Sequence, residues 1–105
     1  VSIISGLALG IDAEAHKSAL RAELHTIAIP GSGLDESVIY PRTNRALARE
    51  IYNSGGALIS EHEPTHTART YDFPSRNRIM VGFAHAVLVV EAAERSGTLI
   101  TARLA

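Results

Sequence analysis

The chain has no cysteine among its 105 residues, so it carries neither a disulfide framework nor thiolate chemistry. That absence fits a cytosolic protein, and the cytoplasm is the expected location. Long hydrophobic runs are missing as well. No segment approaches the roughly 20 apolar residues of a membrane-spanning helix, and no signal peptide is visible. An excess of positive charge is also lacking: the formal net charge is −1, so any anion binding must be local and traced to named side chains. Lysine is nearly absent. Lys17 stands alone beside nine arginines, whose planar forks suit phosphates and stacking on bases but also serve as ordinary surface groups. A Walker lysine is among the missing, which speaks against a nucleotide triphosphatase. Internal repeats, low-complexity tracts and linkers are not evident.

What is present is globular. Apolar residues make up 46% of the chain and charged ones 20%, enough for one domain with a modest core. The sequence opens at Val1 inside an apolar run and stops at Ala105 inside a helical pattern. The expectation is a single domain spanning residues 1–105, incomplete at both ends and cut from a longer protein.

Short β-branched runs alternate with helical patterns. Strands are expected over Val1 to Ile4, Thr26 to Ile29, Ala57 to Ser60 and Ala86 to Glu91. Asp12 is a candidate N-cap for a helix to about Leu24, with Ile11, Ala15, Ala19 and Ala22 inward and Glu14, Lys17 and Arg21 outward. Thr43 can cap a second helix to about Asn53, stopped by Gly55-Gly56, with Leu47 and Ile51 as its core stripe. Arg42, Arg45 and Arg49 share one face of it. A polar loop over 61–75 precedes a helix from Asn77 to about His85, burying Ile79, Met80 and Phe83. A last helix is expected over Gly97 to Leu104. Nearly all-apolar strands alternating with helices predict an α/β fold: a Rossmann-like, doubly wound, mostly parallel sheet with helices on both faces. Ligands in such sheets sit beyond the carboxyl ends of the strands. Here those ends are Ser5-Gly6, Pro30-Gly31, Ser60-Glu61 and the turn before Ser96.

Most catalytic patterns fail on inspection. Gly31-Ser32-Gly33 begins like a dinucleotide fingerprint, but Glu36 stands where its third glycine belongs. Ser5, Ser32 and Ser96 lie on rim turns without a nucleophile elbow. Glu61 and Glu91 could form a carboxylate pair, although orienting arginines or capping turns is the better reading. His62 and His66 are four apart in a loop containing Pro64, which does not present them as neighbouring turns of a helix, so they read as solvated and no metal is expected. His16 reads as packing or capping locally. No cofactor is expected either.

An anion site is better supported. Arg76, Asn77 and Arg78, with Ser96-Gly97-Thr98 at a helix N-terminus, combine guanidiniums with free N–H groups. Phe73 beside them offers a face for base stacking. The competing reading makes Phe73 core and pairs Arg76 with Asp72 or Glu91. From local features the two stand level.

At this point the residues resemble a family. Ser5-Gly6-Leu7-Ala8-Leu9-Gly10-Ile11-Asp12-Ala13-Glu14-Ala15-His16 is similar to the DNA-processing protein A (DprA/Smf) family. So are Gly31-Ser32-Gly33-Leu34-Asp35, Tyr40-Pro41 with Asn44, Ser60-Glu61, and Phe73-Pro74 with Arg76-Asn77-Arg78-Ile79. Val89-Val90-Glu91-Ala92 and Ser96-Gly97-Thr98-Leu99-Ile100-Thr101-Ala102 complete the order over nearly the whole chain. The resemblance implies a Rossmann-like domain that binds single-stranded DNA, protects incoming strands in natural transformation and helps load the RecA recombinase. It also implies a homodimer without established catalytic activity. The positions matching the family's basic pocket are Phe73, Arg76, Asn77 and Arg78, with Ser96, Gly97 and Thr98 beside them and Ser5 and Gly6 on the same rim. A strand and a glycine-and-arginine turn of the family would lie before Val1. Thr70 stands where close relatives can carry a lysine, leaving Arg69 as its possible substitute.

Two other readings compete. The Arg-Asn pair followed by a strand and Ser-Gly-Thr also resembles the lysine-decarboxylase-like phosphoribohydrolases of nucleoside monophosphates. Their Gly-Thr-x-x-Glu turn is missing its carboxylate here, since Leu99, Ile100 and Thr101 follow Gly97-Thr98. Glu94 and Arg95 replace their paired glycines. The remaining reading is a scaffold whose rim is purely structural. Binding is expected over catalysis.

Overall fold

In the computed structural model, residues 2–84 are described. The expected strand over 86–91, the helix over 97–104, and Ser96, Gly97 and Thr98 lie outside the described residues. Three strands form the sheet: β1 (Ile3–Ser5), β2 (Thr26–Ala28) and β3 (Ala57–Leu58), in the order β1-β2-β3. Both pairings are parallel, with Ile4 opposite Ile27 and Ala28 opposite Leu58. Parallel neighbours need a crossover, and helices α1 (Ile11–Arg21) and α2 (Arg45–Asn53) provide the two. The α/β architecture is the one expected. Among the described residues no helix is long and apolar enough to cross a membrane.

The core gathers Leu7, Ala13, Ala28, Ile39, Leu47, Ala48 and Ile51, with Leu20 and Leu58 packed against it. Leu47 and Ile51 are the expected stripe of α2, four apart on one face. Burying side chains of this size contributes about 1.5–3 kcal/mol each. Helix α1 is rotated from expectation. Its buried residues are Ala13, His16 and Ala19, while Ile11 is exposed. The reason is His16, which is fully buried and fixes the inward face by a hydrogen bond to Thr26 on β2.

Both crossover helices end the same way. After α2, the N–H of Gly55 donates to Tyr52 and that of Gly56 to Ile51, with Gly55 at φ 91°. This pair of hydrogen bonds to the last carbonyls needs a left-handed backbone conformation, which glycine adopts without strain. After α1, Glu23 donates to Leu20 and Leu24 to Ala19, and Glu23 takes that left-handed place at φ 57°. Helix starts differ from the reading. Asp12 does not cap α1, because its carboxylate turns back to accept from the N–H of Gly6 at 2.9 Å. Thr43 lies within a 3-10 turn, Arg42–Asn44, that leads into α2 without a side-chain cap.

Two outcomes follow for stability. Glu23→Gly should raise it by about 0.5–1 kcal/mol in chemical denaturation, since it relieves a left-handed non-glycine residue. His16 gives a pH dependence. The Thr26 hydroxyl donates to the Ile3 carbonyl at 2.9 Å, so His16 Nδ1 donates to Thr26 Oγ1 at 2.7 Å. Burial drives the His16 pKa down from 6.5 to about 4, opposed by Asp12 and the Ser5 carbonyl. The folded chain keeps a neutral ring where the unfolded chain takes up a proton. Stability should therefore be full above pH 6.5 and fall as pH drops toward 4, by about 3 kcal/mol in total. His16→Asn should flatten that segment of the denaturation-midpoint profile; an unchanged profile would contradict the assignment.

Candidate functional site

The rim at the carboxyl ends of the strands is organised by α3 (Asp72–Phe83). This helix begins at Asp72, five residues earlier than the sequence suggests. Pro74 sits in its first turn, where a missing N–H costs nothing because no intrahelical acceptor is available. Arg76, Asn77 and Arg78 consequently occupy the second turn, not a free N-terminus. Two residues of helix correspond to about 200° of rotation, so Arg76 and Arg78 point to different sides.

Arg76 points inward. It is 5% exposed, and its Nη1 donates to the carbonyls of Gly6 and Ile29, each at 2.7 Å. Its Nε donates to Asn77 Oδ1 at 3.0 Å. One guanidinium thus bridges the chain just past β1 and just past β2. Burial pushes its pKa down from the usual arginine value, and Asp12 acts in the opposite direction. An arginine remains charged at neutral pH even so. The approach needs a glycine at position 6, since a Cβ there would collide with the Arg76 guanidinium and come within 2.8 Å of Asp12 Oδ2. Neither expected partner of Arg76 applies within the described residues. Asp72 is engaged elsewhere, and Glu91 lies outside them.

Phe73 is half-buried on the same face of α3, three residues before Arg76. The guanidinium carbon lies 5.6 Å from its ring centre, a cation–π distance. On its other flank Tyr40 meets it at 5.5 Å and 47°. Phe73 rests on Gly31, where a Cβ would stand 2.9 Å from the ring. Tyr40 is 53% exposed. Sequence reasoning missed Tyr40 as a site residue; an aromatic just before a proline in a loop was the available signal.

Arg78 points outward and pairs with Glu61 at 2.8 Å, while Ser75 donates to the other Glu61 oxygen at 3.2 Å. Glu61 therefore orients an arginine, as weighed from the sequence. Arg69 is exposed and donates to the Tyr71 hydroxyl at 2.8 Å. Ser5 is the last residue of β1, and its carbonyl accepts from Ile29 at 3.0 Å. Asn77 is buried beside Arg76. Arg42, Arg45 and Arg49 do not share one face of α2, since Arg42 lies in the 3-10 turn before it. Arg45 donates to the carbonyls of Ile39 and Ser37, and Arg49 pairs with Glu36.

The loop over 61–71 departs most from expectation. His62 and His66 are only partly exposed. Their rings stack at 4.0 Å and 16°, and both face the buried carboxylate of Asp72. The hydrogen bond from His66 holds that carboxyl below its ordinary range, aided by the Arg69 N–H and opposed by burial. Proline excludes a helix here, but a turn (His66 N–H to the Glu63 carbonyl, 3.0 Å) brings the two rings together instead.

Comparison with known proteins places this arrangement. The family pattern of DNA recombination-mediator protein A matches residues 1–105. The chain is 50% identical over 105 residues to Protein Smf of Escherichia coli (strain K12), covering all of this chain and 28% of that protein. It is 46% identical over 99 residues to the DNA processing protein DprA of Streptococcus pneumoniae, covering 94% of this chain and 34% of that one. The chain thus spans about a quarter to a third of these relatives' length. The solved structure of Streptococcus pneumoniae DprA superposes with a TM-score of 0.88 at 43% identity, over 98% of this chain and 35% of that one. DprA of Helicobacter pylori, whose structure gives insight into its unique single-stranded DNA binding mode, superposes at 0.86 with 34% identity, over 98% and 45%.

Arg76 is expected to be a residue of folding. Arg76→Ala should lower stability by about 2–4 kcal/mol, since several buried bonds to a charged donor are lost. Arg76→Lys should recover only a minor part, lacking the fork. Urea midpoints of the two variants test this, and a midpoint within error of the parent for Arg76→Ala would refute the clamp.

Proposed function

The chain belongs to the DNA recombination-mediator protein A (DprA/Smf) family, and on that footing we propose that it binds single-stranded DNA at the strand-end rim. The observation that carries the proposal is the aromatic pair Tyr40–Phe73, backed by Arg76 and seated on Gly31 at the carboxyl end of β2. Aromatic faces of this kind hold unpaired bases without reading sequence, and stacked duplex bases cannot reach them. Arg78 and Arg69 are the exposed cations for neighbouring phosphates. Arg76 and Asn77 position the platform, and Ser5 and Gly6 lie on the same strand-end rim. Ser96, Gly97 and Thr98 belong to the proposal through the family resemblance alone.

The wider reading follows the resemblance. We propose a role in DNA uptake during natural transformation, with protection of incoming strands, RecA loading, a homodimeric state and a cytoplasmic setting. We also propose binding without catalysis, since the carboxylate of the related phosphoribohydrolases is missing from the Gly97-Thr98 segment.

Fluorescence anisotropy of a labelled thymidine oligonucleotide should give salt-sensitive binding that duplex DNA and nucleoside monophosphates compete poorly. Phe73→Ala should cost about 1–3 kcal/mol of affinity, and Tyr40→Ala a part of that. Arg78→Ala should weaken binding alike for all sequences and reduce the salt slope by about one. Tight displacement by a monophosphate, with release of free base, would favour the hydrolase instead.

A further inference from the structure

We propose that His62, His66 and Asp72 form a binding site for one zinc ion, an inference independent of the DNA-binding reading. Each residue offers one donor atom, and the three lie within 4.8 Å of one another. Asp72 Oδ2 stands 2.9 Å from His66 Nε2, and Oδ1 stands 3.5 Å from His62 Nε2. His62 Nε2 is buried and has no hydrogen-bond partner, although it faces the carboxylate. A buried ring nitrogen left unpaired costs free energy, and a metal bond would satisfy it.

The backbone that carries the donors is already fixed. The His62 N–H donates to Ser60 Oγ at 3.1 Å. At His66 the N–H donates to Glu63 and the carbonyl accepts from Gly33 at 2.9 Å. The Arg69 N–H holds Asp72 Oδ2 at 2.8 Å, the kind of outer contact that orients a ligating carboxylate. The two histidine side chains are 20% and 24% exposed, which leaves a path for entry and room for water as the fourth ligand.

The donor chemistry selects the metal. Two imidazoles and one carboxylate suit zinc and its neighbours, whereas magnesium and calcium require oxygen shells. Binding would replace the His66–Asp72 hydrogen bond, with the neutral His66 proton carried on Nδ1. The stacked rings would fan apart so that both Nε2 lone pairs meet at one point. The ion would join the loop over 61–71 to the first turn of α3, one residue before Phe73.

Calorimetric titration of the chain with zinc chloride should give one equivalent bound. Cobalt(II) should give the visible absorption of a low-coordinate site with nitrogen ligands, and excess magnesium should not displace it. His62→Asn, His66→Asn and Asp72→Asn should each weaken zinc binding by at least roughly 100-fold, beyond the 10–100-fold typical of outer-shell changes. His25→Asn, at an exposed histidine outside the cluster, should leave it unchanged. Circular dichroism checks the fold of each variant. Should Asp72→Asn unfold, the two loop histidine variants and the cobalt spectrum decide. No binding, equal competition by magnesium, or binding indifferent to His62 and His66 would overturn the site.

Discussion

A single buried cation holds the strand-end rim together. The Arg76 guanidinium satisfies the carbonyls of Gly6 and Ile29, which end two parallel strands at a point where the sheet ladder no longer supplies partners. The turn after β1 draws on two further side chains. There the carbonyls of Leu7 and Ala8 are taken by the Asn44 side chain, and the Gly6 N–H by Asp12. Residues 12, 44 and 76 come from three different helical segments. Each gives a polar side chain to the same short stretch of backbone, whose buried amides need partners. Leu7, at φ 65° and fully buried, is kept in a left-handed conformation by this network.

Much of this was legible in the sequence and some was not, for reasons that differ by residue. The strands were visible as β-branched runs, and Gly55-Gly56 announced the end of α2 because a left-handed exit favours glycine. Glu23 makes the same exit without the signal. The start of α3 was obscured by Pro74, which local pattern reads as a loop residue though a first helical turn accepts it. That shift of a turn separated Arg76 from Arg78, two residues apart in sequence but opposite in environment. Family resemblance pointed to the Phe73–Arg78 segment. It could not tell a clamp from a ligand contact, because both uses select a guanidinium. The pairing of His62 and His66 escaped because spacing rules assume a helix or a hairpin, and here a tight turn brings the two rings together.

Order in the loop over 61–71 comes from outside it. Gly33 and Asp35 donate to the carbonyls of His66 and Pro64 at 2.9 Å, and Ser60 Oγ donates to Ser32 at 2.7 Å. A Cβ on Gly33 would strike the carbonyls of Glu63 and Pro64. The two irregular segments, after β2 and after β3, therefore lie against one another and share their backbone bonds. This seam carries the stacked histidines, which meet Asp72 at the start of α3, and Gly31 in the same segment carries Phe73.

Glu61 introduces a different kind of constraint. Its carboxylate already occupies the outward face of Arg78 and steadies Ser75, so it behaves as a resident counter-ion. An incoming anion has to exchange with a group that is covalently tethered and effectively always at hand. A lone phosphate or chloride meets that competition one contact at a time. A polymer of linked phosphates does not, since its first contact raises the local concentration of the next. If the rim binds DNA as proposed, this exposed ion pair, of little worth to stability, would favour linked phosphates over a single one.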